Sequence, residues 1–125
     1  MTAAHATAAI QAGQTGEVTR KVDRGITVNR TGRPGADVLS TPSMIMLMEM
    51  AAIEAADPRL SKGFTTVGFH VDVKHFAPAP LGSDVTARAR VTAVDGNKLS
   101  FEVVAFCGDR KIGEGTHRRA AIPVG

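Results

Sequence analysis

The chain has 125 residues, of which 43% are hydrophobic and 22% are charged, and its net charge is +3. This composition excludes a disordered chain, and the longest apolar stretch, Met44 to Ile53, is too short to cross a membrane. The small basic excess and the 4% of aromatic residues argue against a nucleic-acid partner.

The length predicts one domain, and the cysteine content predicts a reducing compartment. Residues 1–12 are interpreted as a flexible leader without the pattern of a signal peptide, and residues 13–125 as a single domain. Cys107 is the only cysteine in the sequence, so no internal disulfide can form. We therefore expect a cytoplasmic protein with no membrane anchor.

The first half of the domain predicts one strand, a loop and one long helix. Gly16 to Val22 alternates apolar and polar residues, as a half-buried strand does. The stretch from Asp23 to Ser40 contains three glycines and a proline, which is typical of a loop. Thr41 is predicted to cap a helix that ends at about Asp57, because Pro58 cannot continue it.

The second half predicts four strands, because apolar and polar residues alternate with a period of two in each segment. The segments are Thr65 to His75, Val85 to Ala93, Leu99 to Ala105 and Lys111 to Ile122. The element order β-α-β-β-β-β predicts a two-layer α+β fold, in which one long helix lies across an antiparallel sheet of about five strands. A domain of this size buries only about two thirds of its surface, so we expect a second copy to cover the remaining apolar faces.

Glu49 and His75 stand out as polar residues that are predicted to face the apolar side. On a helical wheel Glu49 leans toward the buried face, unless its side chain reaches solvent past the small alanines around it. Unless a bulge shifts the register, His75 shares the buried face of its strand with four apolar side chains, namely Val67, Phe69, Val71 and Val73. A carboxylate and an imidazole that converge from helix and sheet are suited to acid–base catalysis.

Thr41 lies eight residues before Glu49 in the sequence. On a straight helix this separation corresponds to a rise of about 12 Å. The two residues can therefore share a site only if long side chains, a water molecule or a second subunit closes the gap.

Five segments taken together resemble the fluoroacetyl-CoA thioesterase-like branch of the hotdog-fold thioesterases, over about Gly13 to Ile122. They are Val38 to Ile45, Leu47 to Glu49, Thr66 to Gly68, Val73 to His75 and Ile112 to His117. The fold of that family is a long helix wrapped by an antiparallel sheet and paired into dimers, which matches the arrangement predicted from periodicity.

The resemblance implies six functional positions in this chain. These are the catalytic residues Thr41, Glu49 and His75, and the substrate contacts Gly68, Arg119 and Val28. It also implies a homodimer, which could pair further into tetramers. Since no His, Cys or acidic residues have a recognised ligand spacing, we expect neither a metal nor a redox cofactor.

We therefore expect hydrolysis of an acyl-CoA thioester, with a short or small acyl group, to a carboxylic acid and free CoA. The fluoroacetyl-specific member of the family has phenylalanines before the helix, whereas here none occurs before Phe64 and the loop from Gly32 to Ser40 is small and polar. A different or broader range of short acyl groups is thus expected. The alternatives are a non-catalytic module that binds acyl-CoA or lipid, and an enoyl-CoA hydratase, whose Asp-x-Asn-x-x-His pattern is missing.

Overall fold

One long helix lies across a five-stranded antiparallel sheet in the computed structural model, which describes residues 2–29 and 35–124. The helices are α1 (Ala3–Ala6) and α2 (Thr41–Ala56), and the strands are β1 (Thr15–Lys21), β2 (Phe64–His75), β3 (Asp84–Asp95), β4 (Lys98–Cys107) and β5 (Arg110–Pro123). The predicted α+β class and element order are confirmed. Within the described ranges, the helices are too short or too polar to span a membrane.

The strands are ordered β1-β3-β4-β5-β2 across the sheet, and all neighbours are antiparallel. The turns that join β3 to β4 and β4 to β5 contain Gly96 and Gly108, whose φ angles of 60° and 61° favour glycine. Strand β2 comes second in the chain but lies at the edge of the sheet beside β5. Its other edge has no strand partner among the described residues of this chain.

The core lies between α2 and the inner face of the sheet. Helix α2 buries one face rich in methionine and alanine, and the sheet contributes alternate side chains of β3 and β4. Strand β1 passes so close to the helix that a Cβ atom on Gly16 would lie 2.3 Å from the Ala51 carbonyl oxygen and 2.4 Å from the Ala55 nitrogen. Only glycine can therefore occupy this crossing point without moving a backbone.

The N-terminal segment packs against the domain, which differs from the flexible leader predicted for residues 1–12. Ala6, Thr7 and Ile10 are buried, with exposed fractions of 1%, 2% and 4%. The Thr7 hydroxyl donates a hydrogen bond of 2.6 Å to the carbonyl oxygen of Gly96 in the β3–β4 turn. Only two apolar side chains of this segment are buried. Its apolar residues were therefore too few for the sequence pattern to predict that the segment packs against the domain.

A β-bulge interrupts β2. Gly68 pairs with Arg119 and His70 pairs with Arg118, so Phe69 is an extra residue in the strand. Thr66 is consequently buried, whereas the apolar residues predicted inside, Val67, Phe69 and Val71, are 41%, 48% and 41% exposed. The bulge turns Val67 and Phe69 to the outer face, where Phe69 contacts Lys98 and Arg118.

Beyond the bulge, β2 has the predicted orientation. Val73 packs against the core, and His75 reaches the first residue of α2. The prediction of which β2 residues face the helix was therefore wrong for the first half of the strand and correct for its second half. Val71 lies opposite the buried His117 but is 41% exposed.

Candidate active site

The start of α2 holds a hydroxyl against an imidazole. The Thr41 Oγ1 atom lies 2.8 Å from His75 Nδ1. Thr41 was predicted to cap the helix, but the cap is Ser40, whose side chain accepts a hydrogen bond from the Ser43 backbone nitrogen. The Thr41 hydroxyl is thus not occupied by capping, and an unprotonated Nδ1 can accept its hydrogen, as a general base beside a nucleophile does.

A shallow groove of about 320 Å³ opens beside this pair. Thr41 and His75 form its polar part, and its apolar part is formed by Val28, Val38, Leu39, Phe76, Ala77 and Pro78. Val28, implied by the resemblance as a substrate contact, therefore lies next to two of the implied catalytic residues. Residues 30–34, which include part of the loop predicted to be small and polar, lie outside the described residues.

Glu49 lies in the middle of α2, and its side chain is 33% exposed. Its Oε2 atom accepts a hydrogen bond of 3.1 Å from Arg119 Nη1. Its Oε1 atom has no hydrogen-bond partner within residues 2–29 and 35–124. One carboxylate oxygen is therefore anchored, and the other is available to a water molecule or a substrate.

Gly68 makes the approach of Glu49 to β2 possible. A Cβ atom at this position would lie 2.7 Å from Glu49 Oε2 and 2.9 Å from His117 Cε1. Any larger residue would push the carboxylate away from Arg119. Gly68 and Arg119, both implied by the resemblance as substrate contacts, therefore lie directly beside the implied catalytic Glu49.

Arg119 is almost fully buried, with 4% of its surface exposed. Its Nε and Nη2 atoms donate to the hydroxyl and carbonyl oxygens of Thr66, at 2.8 Å and 2.9 Å. Its Nη1 atom faces both Glu49 and His117. Thr66 in turn donates to Asp57 Oδ1 at 2.7 Å, so the guanidinium is connected to the end of α2. A buried arginine with this many partners is rigidly oriented.

His117 is held in one neutral tautomer. Its Nδ1 atom lies 2.8 Å from the carbonyl oxygen of His70, which can only accept, so Nδ1 carries the hydrogen. Its Nε2 atom lies 3.2 Å from Arg119 Nη1, which can only donate, so Nε2 is unprotonated. Burial lowers the pKa of His117, and the positive charge of Arg119 lowers it further. The 3.8 Å approach of His117 Nε2 to Glu49 is accordingly not an ion pair.

Within one chain the six implied positions therefore form two groups. The hydroxyl–imidazole half contains Thr41, His75 and Val28, and the carboxylate half contains Glu49, Gly68 and Arg119. Among the residues that the structure describes, no hydrogen bond or ion pair joins the two halves. The helical rise of about 12 Å between Thr41 and Glu49 explains this separation.

Three residues that hold the carboxylate half in place were missed by the sequence analysis, namely Asp57, Thr66 and His117. The bulge at Phe69 placed Thr66 inside against its predicted parity. Asp57 was assigned only to the end of the helix. His117, Arg119 and Ala121 occupy alternate positions on β5 and are all buried. This alternation was the one feature of the sequence that indicated an inward-facing His117.

Comparisons with known proteins agree with this architecture. A long helix packed against a five-stranded antiparallel sheet is the architecture of a hotdog-fold protein. A solved hot-dog-like protein from Thermanaerovibrio acidaminovorans is 28% identical, with a TM-score of 0.82 over 92% of this chain and 85% of that one. The predicted hotdog fold is thereby confirmed.

The chain belongs to the family of fluoroacetyl-CoA-specific thioesterases, whose family model matches residues 22–124. The fluoroacetyl-CoA thioesterase of Streptantibioticus cattleyicolor is 41% identical over 86 residues, which are 69% of this chain and 62% of the relative. A solved variant of a fluoroacetyl-CoA-specific thioesterase, in complex with fluoroacetate and CoA, is 33% identical, with a TM-score of 0.83 over 92% of this chain and 97% of that one. The predicted family is thus confirmed.

Proposed function

We propose that this protein hydrolyses the thioester of a short acyl-CoA to a carboxylic acid and free CoA, using Thr41, Glu49 and His75. The observation that carries the proposal is the 2.8 Å contact between Thr41 Oγ1 and His75 Nδ1, beside a groove large enough for a small acyl group. The activity in the name of the S. cattleyicolor relative supports the same reaction.

The reaction needs an oxygen nucleophile at the carbonyl carbon and a proton on the departing sulfur. The Oε1 atom of Glu49 either takes a proton from an attacking water or attacks the carbonyl carbon itself, because Oε2 is held by Arg119. In the second route the acyl–Glu49 anhydride then reacts with water. In both routes the C–S bond breaks, the Thr41–His75 pair in its protonated form gives a proton to the CoA sulfur, and the proton released by the attacking water restores the pair.

The acyl group would lie between the two halves of the site. Val28 lines the groove beside Thr41, and the missing side chain of Gly68 lets the Glu49 carboxylate lie directly against β2. A relative of this chain has been solved with fluoroacetate and CoA, which favours an acyl group of similar size. Because no phenylalanine precedes Phe64, we expect other short acyl groups to be accepted as well.

Purified protein should release free thiol from short acyl-CoA thioesters in a colorimetric assay. Thr41→Val should lower kcat by about 100-fold or more, because valine fills the same volume but cannot exchange a proton with His75. Thr41→Ser keeps the hydroxyl and should retain a substantial part of the activity. If acyl-CoA binds without thiol release across short, branched and aromatic acyl groups, the protein is instead a non-catalytic binding module.

The edge strand β2 supports a homodimer. It has twelve residues, its free edge exposes backbone hydrogen-bonding groups, and its apolar residues Val67, Phe69 and Val71 are each more than 40% exposed. Such an edge is prone to pair with another strand. A second copy that adds its own β2 would continue the sheet and bring a partner next to both halves of the site.

We propose that the hydroxyl–imidazole half of one protomer completes the carboxylate half of the other. This arrangement closes the gap of about 12 Å that separates Thr41 from Glu49 along one helix. Whether dimers pair further into tetramers, and whether the protein resides in the cytoplasm, stay predictions from the sequence.

Mixing two inactive variants tests this composite site. After subunit exchange, Thr41→Val and Glu49→Gln chains should recover about a quarter of the wild-type activity, because half of the dimers then contain one intact site of two. The control pairs Thr41→Val with His75→Phe, which remove the same half and should recover nothing. Absence of recovery in the first mixture, although heterodimers form, would place the whole site within one protomer.

A further inference from the structure

The buried imidazole of His117 has no role in the reaction proposed above. It is 1% exposed and stacks on Phe101 at a ring-centroid distance of 6.0 Å. A histidine this deeply buried could have been an apolar residue without loss of packing. Both of its nitrogens are instead used, one on the His70 carbonyl and one on Arg119.

Four of the five N–H groups of Arg119 have partners: two on Thr66, one on Glu49 and one on His117. The guanidinium is planar, so the two hydrogens of Nη1 have fixed directions within it. When His117 Nε2 accepts one of them, it helps to hold the plane in the orientation in which the other points to Glu49 Oε2. A protonated His117 would present a donor and a positive charge to Arg119, and this geometry would be lost.

We propose that His117 is a positioning residue for the thioesterase reaction, which in its neutral form holds Arg119 against Oε2 of Glu49 and leaves Oε1 directed at the substrate. Thr66 has the corresponding role on the other side of the guanidinium, because its hydroxyl accepts from Arg119 while it donates to Asp57. The inference rests on the proposed function for its catalytic part. The state of the network itself can be tested without any activity.

The proposal includes a pH dependence with a defined sign. The groups that face His117 are Glu49 on α2, Arg119 on β5, the carbonyl of His70 on β2 and the uncharged Phe101 ring on β4. Burial lowers the pKa of His117 in the folded chain, and the charge of the His70 imidazole also lowers the pKa of His117. As the pH falls through the ordinary histidine pKa of about 6.5, the unfolded chain gains a proton that the folded chain does not. The free energy of unfolding therefore decreases as the pH falls.

Two substitutions at His117 separate positioning from packing. His117→Phe keeps an aromatic ring on Phe101 but removes the acceptor, and should lower kcat about tenfold or more while KM changes less than about threefold. His117→Gln can place an amide oxygen near the position of Nε2 and should restore most of kcat. Thr66→Val and Thr66→Ser form a second pair, with loss expected for valine and retention for serine.

Two further measurements do not depend on turnover. Nitrogen NMR of the imidazole should find His117 protonated at Nδ1 only, and titrating below the ordinary histidine range. The fall in Tm between about pH 7.5 and about pH 5.5 should be smaller in His117→Gln than in the wild type, because glutamine does not titrate.

The outcomes distinguish this inference from the proposed function. Equal kcat values for wild type, His117→Phe and Thr66→Val would overturn the positioning role and leave the thioesterase intact. A His117 ring protonated at Nε2 near neutral pH would overturn the network. Absence of thiol release in every variant, with the predicted tautomer present, would overturn the proposed activity and confine the network to a structural role.

Discussion

Replacing Glu49 by glutamine should lower kcat for thioester hydrolysis by at least about 100-fold, because an amide can neither take a proton from water nor attack a carbonyl carbon. The fold should persist. The amide oxygen of the introduced glutamine can still accept from Arg119 Nη1, so the buried guanidinium keeps a hydrogen-bond partner at this position. Steady-state rates of thiol release, with Tm measured alongside, test this expectation.

The matched control is Glu54→Gln on the same helix. Glu54 is exposed and its carboxylate contacts none of the site residues, so its removal should leave kcat and KM within about twofold of wild type. Full activity in Glu49→Gln would show that the carboxylate does not take part in the chemistry. In that case the Thr41–His75 pair would have to supply the nucleophile alone.

Gly16→Val should destabilise the protein by about 3 kcal/mol or more, the largest stability loss that we expect from a single side chain. The added Cβ atom would lie 2.3 Å from the Ala51 carbonyl oxygen and 2.4 Å from the Ala55 nitrogen, which are backbone atoms of α2 and cannot rotate away. Strand and helix must separate, and the core beneath them opens. For a domain of this size such a loss lowers Tm by about 12 °C.

Thr15→Val is the control for that substitution, because it creates the same side chain one position earlier on the exposed face of β1. Its Tm should stay within a few degrees of wild type, since valine suits a strand. A Gly16→Val protein with wild-type Tm would mean that β1 and α2 do not approach as closely in solution as in the structure.

The elements that could be predicted are those with a local cause. Pro58 marks the end of α2, and the period of two from Thr65 onward predicted the strands of the sheet. The hairpin turns followed from the glycines at positions 96 and 108. In each case the physical reason lies within a few residues, so no knowledge of the tertiary structure was needed.

Two kinds of feature could not be predicted. In one, two neighbouring residues are equally suited to the same role, and in the other, the contact joins residues that are far apart in the sequence. Ser40 and Thr41 are both able to cap a helix, and in the structure Ser40 is the cap while the Thr41 hydroxyl lies against His75 from a distant strand. The network of the carboxylate half joins residues from α2, β2 and β5 that are up to 70 positions apart. Its key histidine, His117, has the alternation of any inward residue on β5, so the sequence alone does not distinguish it from core packing.

The extra residue at Phe69 also explains how one strand can serve both halves of the site. Gly68 and His75 are seven positions apart, an odd number, so a regular strand would direct them to opposite faces of the sheet. The bulge shifts the phase of the strand by one, and both residues face the helix. Deleting the residue at position 69 would restore the regular alternation and turn either Gly68 or His75 away from the helix, so the length of β2 matters to both halves of the candidate site.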